Sequence, residues 1–225
     1  MTKIVRVFFF NLNADLPDCS TVKDLGVTVN DLLTPCDHIA KTVCTAFQQV
    51  NLIYRTFVSR DLSSLVRAYC TYIRPLLEYN SVVWSPSNLG DTDIRCVESV
   101  QRKFTKRLPS FHNLSYTVRT EKLGLTTLEL RRVHFDLVVC YKIVINLIKV
   151  QFDDFFSFIL VTKTRGHPYR LFVNFATNNV RKNFFAHRVV RYWNFLPADV
   201  VYFCSLCHFR QTITRVSFSE FLVID

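Results

Sequence analysis

His38-Ile39-Ala40-Lys41-Thr42-Val43-Cys44-Thr45-Ala46-Phe47-Gln48-Gln49-Val50-Asn51-Leu52-Ile53-Tyr54-Arg55-Thr56-Phe57 is the stretch that decides the fold class. Within it Ile39, Val43, Ala46, Val50, Ile53, Tyr54 and Phe57 recur at steps of three and four, which places them on one face of a helix. Upstream the pattern is extended: Val5, Val7 and Phe9, a polar turn around residues 11–20, then Val22, Leu25, Val27 and Val29 predict a hairpin-like pair of strands. Downstream, Leu62, Leu65, Val66, Tyr69 and Ile73 form a second apolar stripe, capped by Ser59 or Asp61, until Pro75 removes an amide donor and kinks or stops the helix.

A third helix over about 92–108 is two-faced. Val97, Val100, Phe104 and Leu108 cluster on one side, and Arg95, Arg102 and Lys106 fall within roughly 40° of one another on the other. Such a basic stripe is either a solvated face or a set of phosphate contacts. Residues 126–148 read as a long, central helix, apolar almost all round, with Arg132 and Asp136 one turn apart and able to pair. Asp153-Asp154 breaks that pattern, Thr164-Arg165-Gly166-His167-Pro168 marks a loop, and a short strand is expected over 169–175. Helices over 180–195, stopped by Leu196-Pro197, and from about 205 complete the chain. The fold class is therefore mainly α: a helical bundle behind a small N-terminal β-hairpin, with a short β segment near 169–175. Three regions are expected, 1–36, 37–150 and 151–225.

With 49% hydrophobic residues in 225, a packed core is within reach, and a net charge of +10 favours an acidic partner. Only four Gly are present, so no Gly-rich phosphate loop exists. The longest apolar stretch, 133–148, is interrupted by Asp136 and Lys142, and Phe8-Phe9-Phe10 is too short for a signal peptide's apolar region. No membrane association is expected, the location is intracellular, in nucleus or cytoplasm, and the eight Cys are expected to be reduced.

From Phe155 to Ala198 the chain has no Asp or Glu, yet carries Lys163, Arg165, Arg170, Arg181, Lys182, Arg188 and Arg191 among many aromatic rings. Cations interleaved with rings suit a phosphate backbone and exposed bases, and equally a core with a charged exterior. Phe185, Val189, Tyr192 and Trp193 share a helical face and read as core, which leaves Arg165, Arg170, Arg181, Arg188 and Arg191 as the phosphate candidates.

Candidate catalytic chemistry is sparse. Cys204-Ser205-Leu206-Cys207-His208 offers three zinc-ligand types, but no second pair completes a site, and Leu206, Phe209 and Ile213 fit an amphipathic helix instead. Gln151-Phe152-Asp153-Asp154 lacks the aromatic residue two positions before the first Asp that polymerase carboxylate pairs carry, and reads as a solvated helix terminus. No Gly-flanked Ser or nucleophile elbow is present.

Several segments, taken in order, resemble the region downstream of the catalytic palm in reverse transcriptases of non-long-terminal-repeat (LINE-type, jockey-like) retrotransposons. They are Lys23-Asp24-Leu25-Gly26-Val27 with His38-Ile39; Tyr72-Ile73-Arg74-Pro75-Leu76-Leu77-Glu78-Tyr79 with Val83-Trp84-Ser85-Pro86; and Val97-Glu98-Ser99-Val100-Gln101-Arg102-Lys103-Phe104. Leu123-Gly124-Leu125, Leu128-Glu129-Leu130-Arg131-Arg132, Asp136-Leu137 and Thr164-Arg165-Gly166 follow, and then Arg181, Phe185, Arg188 and Trp193-Asn194-Phe195-Leu196-Pro197.

The resemblance implies that Leu25-Gly26 is the primer-grip turn, that the helices over 40–108 form a thumb tracking a template–primer duplex, and that the part beyond Thr164 is the family's C-terminal extension. It also implies that the paired aspartates, and the Mg2+ they hold in the complete parent enzyme, belong to an upstream palm. On this reading the chain is no polymerase by itself, needs no cofactor, and keeps non-specific affinity for RNA or RNA/DNA duplex. The alternative is a remnant without selected activity, or a helical protein-interaction body, that self-associates through an exposed apolar hairpin.

Overall fold

The computed structural model describes residues 20–86, 91–159 and 166–223. The first predicted strand, with Val5, Val7 and Phe9, lies outside them. The hairpin forms instead within the second run: β1 (Thr21–Asp24) pairs antiparallel with β2 (Val27–Asn30), Asp24 opposite Val27, around a two-residue turn at Leu25-Gly26. Both turn residues have positive φ, 43° and 87°, as a tight hairpin whose turn matches strand twist requires. A Cβ on Gly26 would come within 3.3 Å of the Tyr79 ring, so glycine is needed there for space as well as for conformation.

Helix α1 (Cys36–Thr56) follows, with Ile39, Val43, Ala46, Val50, Ile53 and Tyr54 buried as their spacing predicts. Helix α2 (Leu62–Ala68) is capped by Asp61, whose carboxylate accepts the Ser64 amide at 2.8 Å. The chain does not stop at Pro75. A π-helical stretch, Tyr69–Ile73, joins α2 to α3 (Arg74–Glu78), so that Pro75 falls in the first turn of α3, where its missing N–H matters least. After α4 (Ser81–Trp84) comes α5 (Asp91–Lys106), which runs parallel to α1: Cys36 Sγ meets Asp93 at one end and Asn51 meets Arg107 at the other.

Helices α6 (Tyr116–Leu123) and α7 (Leu128–Val144) are joined at Gly124 in the left-handed conformation and capped by Ser115 and Thr127. Among the described residues two large apolar cores result, beside a small cluster of Ile94, Tyr116 and Val223. The hairpin, α1 to α5 and Leu128 enclose the first, and α7 from Val133 onward enters the second with the C-terminal elements. Packing thus changes partner inside α7.

In the C-terminal part the expected strand over 169–175 reduces to a single antiparallel bridge between Phe158 and Leu171, and Phe172 to Phe175 run exposed without a partner strand among the described residues. The helix expected over 180–195 is broken at Phe184 (φ −59°, ψ 139°) into α8 (Asn179–Asn183) and α9 (Phe185–Phe195). Helix α10 (Leu206–Ile213) is capped by Ser205, and a short 3-10 turn at Ser219–Phe221 leads into the last described residues. Among the described residues, no helix is long and apolar enough to cross a membrane.

Candidate nucleic-acid interface

Helix α5 divides cleanly around its axis. At about 100° per residue and with Arg102 at zero, Val100, Phe104, Val97, Leu108, Gln101, Thr105 and Glu98 occupy roughly 160–320°, and all seven are buried. Arg95, Lys106, Lys103 and, in the turn just past the helix end, Arg107 fall at roughly 20, 40, 100 and 140°. The predicted stripe of Arg95, Arg102 and Lys106 is one edge of this wider arc. Arg95 and Lys106 are exposed and Arg102 is half-buried.

Three of the five cations sit on aromatic rings supplied by other elements. The guanidinium carbon of Arg102 lies 4.4 Å from the centre of the Tyr116 ring, Lys103 Nζ lies 4.4 Å from that of Phe47, and the Arg107 guanidinium lies 4.1 Å from that of Tyr54. Arg107 is fixed further by donating to Asn51 Oδ1 at 2.9 Å, and Arg60 approaches the Tyr54 ring at 5.7 Å. Burial pushes the Tyr54 phenol up to about 12, against the pull of Arg107 and Arg60, so the ring stays neutral. Among the described residues, Arg102, Lys103, Lys106 and Arg107 have no carboxylate within ion-pair distance. Seated, unpaired cations lose little side-chain freedom when they meet an anion.

The arc stands on a buried polar hub on the inner side of α5. The Glu98 carboxylate, fully buried, accepts the amides of Leu128 (3.0 Å) and Glu129 (3.3 Å) at the start of α7, and the Tyr116 hydroxyl. Gln101 accepts from the Tyr69 hydroxyl at 2.9 Å and donates to Tyr116 Oη and to the Thr126 carbonyl. The ring that seats Arg102 is therefore anchored through its hydroxyl to the same helix that carries the arginine.

The other predicted residues are dispersed. Leu25 and Gly26 form the hairpin turn, held by a hydrogen bond from the Tyr79 hydroxyl to the Leu25 carbonyl (3.0 Å). Beside it a groove of about 570 Å3 is lined by Lys23, Gly26, Thr28, His38, Lys41 and Tyr79, among others. His38 accepts the Thr28 amide at 3.3 Å, and burial holds its pKa below the usual histidine value. Along α1, His38, Lys41, Thr42 and Thr45 lie within a sector of roughly 100° on one flank, while Phe47, Asn51 and Tyr54 lie on the opposite flank. The groove and the α5 arc are thus not one surface.

Arg188 is corrected outright. It is 3% exposed, and its guanidinium donates to both Asp136 oxygens (2.7 and 2.9 Å) and to the carbonyls of Val82 (2.6 Å) and Asn183 (2.9 Å). No donor face is left for a phosphate. Asp136 pairs with Arg188, not with Arg132 as the one-turn spacing suggests. Arg181 and Arg191 are exposed, Arg170 is half-buried, and Arg165 lies outside the described residues.

Cys204 and Cys207 are exposed at the start of α10, with Cys204 Sγ 3.4 Å from His208 Nδ1. Among the described residues no group of three or more His, Cys, Asp or Glu converges in a way that could hold a metal ion. Asp153 and Asp154 are exposed, as expected, but on a separate 3-10 turn, Phe152–Asp154, beyond the end of α7 rather than at a helix terminus.

Lys103 and Arg107 are the members of the basic arc that the narrow stripe omits. The same angular count could have found them, whereas the seats at Phe47, Tyr54 and Tyr116 lie too far away in sequence for it to see. Compared with protein-family models, with curated proteins and with solved structures, the chain matches none.

Proposed function

We propose that this chain is a sequence-independent nucleic-acid-binding body, related to the thumb and C-terminal extension of non-long-terminal-repeat retrotransposon reverse transcriptases, which takes RNA or RNA/DNA duplex by its phosphates. The single observation that carries the reading is the α5 arc: four cations without carboxylate partners among the described residues, three of them on rings. The rings hold three of these cations in place, so that less side-chain freedom is lost when they meet a phosphate. The ordered run of segments that resembles the family supports the same reading. The sequence contains no aromatic-x-Asp-Asp motif, and we assign no nucleotide addition to these residues.

The test compares the wild type with a Lys103→Ala/Lys106→Ala/Arg107→Ala variant, using anisotropy of a labelled RNA/DNA duplex in moderate salt. These side chains reach solvent and carry no buried hydrogen bond, so the variant should fold. Losing three phosphate contacts should weaken binding by at least about tenfold. Equal affinity of the two proteins would remove the arc from the interface.

A further inference from the structure

Away from the arc, the unexplained surface feature is aromatic. Five phenylalanines form a continuous run in the C-terminal unit. Phe158 stacks on Phe152 (centroids 4.6 Å apart, planes at 19°), Phe152 adjoins Phe156 (6.1 Å), Phe156 adjoins Phe155 (6.3 Å), and Phe155 lies nearly parallel to Phe184 (6.3 Å, 16°). Phe156 in the middle is buried, while the ends of the run, Phe158 and Phe184, are 43% and 50% exposed.

The exposed rings are held in place. Phe158 belongs to the bridge with Leu171, which the Ile159 amide to the Arg170 carbonyl (3.1 Å) and the Phe172 amide to the Ser157 carbonyl (2.8 Å) close on either side. Phe184 is the extended residue between α8 and α9, and its backbone amide is bonded to Val180 and Arg181. Its neighbours Arg181 and Lys182 are exposed, with no carboxylate within ion-pair distance among the described residues. Asp153 and Asp154, exposed on the turn that carries Phe152, are the acids adjoining the run. They give it a polarity, so that a polyanion approaches from the α8 end.

We propose that this run of rings binds single-stranded nucleic acid, unpaired bases extending the stack at Phe158 and Phe184 while Arg181 and Lys182 meet the adjacent phosphates. The inference rests on the nucleic-acid reading above and adds a chemistry that the arc lacks. Phosphates are present in single strands and duplexes alike, but only unpaired bases have faces free to stack on a side-chain ring.

The test uses the full chain and three labelled oligonucleotides of equal length: a single strand, its duplex, and a strand of abasic sites. The wild type should bind the single strand at least about fivefold more tightly than the abasic strand, the lower end of one stacking contact. Phe158→Ala/Phe184→Ala should erase that difference and leave duplex binding and its salt dependence unchanged, and Phe158→Tyr, which keeps a flat ring, should retain it. Equal wild-type affinity for the normal and abasic strands overturns the inference, and needs no variant to fold. So does a Phe158→Ala/Phe184→Ala variant that binds normally but loses self-association in sedimentation, since the rings would then serve a contact between copies. If no oligonucleotide binds at any salt concentration, the broader reading fails along with this one.

Discussion

At the residue scale, Glu98 shows how a charged side chain can be structural. Its carboxylate sits at the N-terminus of α7, where unpaired amides and the helix dipole favour an anion, and a tyrosine hydroxyl completes its shell. Glu98→Ala would strand the amides of Leu128 and Glu129 and the Tyr116 hydroxyl in the interior. Chemical denaturation should show a loss of about 2–4 kcal/mol. The change should also loosen the seat of Arg102, because Tyr116 loses its anchor. From sequence, Glu98 looks like one more charge on an amphipathic helix; at roughly 320° on the wheel it borders the apolar face, and only α7 explains why it is buried there.

Among elements, periodicity tells which face of a helix is buried far better than where the helix ends or what it meets. The periodic apolar positions, Ile39, Val43, Ala46, Val50, Ile53 and Tyr54 in α1 and Val97, Val100 and Phe104 in α5, are buried. The continuation through Pro75 depends on a π-helical turn, and the break at Phe184 leaves the Asn183 carbonyl to Arg188, a partner that no local pattern announces. Helix α7 carries a pH dependence of its own. His134 packs its ring edge against Phe218, and its Nε2 has no hydrogen-bond partner among the described residues. Burial first, and then the charge of Arg131, lower its pKa from 6.5 to about 4. The unfolded chain therefore takes up this proton at higher pH than the folded one. The stability that the neutral ring contributes is complete above about pH 6.5 and is lost as pH falls towards 4. Denaturation midpoints should fall across that window, and His134→Phe should flatten the decline whatever its effect at neutral pH.

At the scale of the whole molecule, the Arg188–Asp136 pair ties α9 to α7 and to the carbonyl of Val82 in α4. Arg188→Met would leave the Asp136 carboxyl without its partner in the interior, costing about 3–5 kcal/mol by denaturation, and Arg188→Met/Asp136→Leu should recover most of that loss. The pairing also explains why sequence misplaced Arg188. It lies in a tract without acids, and its partner stands 52 residues earlier, where local charge counting cannot reach.

The mainly helical body behind a small hairpin is legible in the pattern of apolar residues. The cation seats, the polar hub and the Arg188–Asp136 pair are not, because each joins residues from different elements. The central claim, that the basic face of α5 takes phosphates, is tested most directly by the slope of log affinity against log salt for wild-type protein and a single-stranded oligonucleotide. At about 0.7 per phosphate contact, engagement of the four carboxylate-free cations of α5 together with Arg181 and Lys182 predicts a slope near −4. A slope near zero would contradict the account.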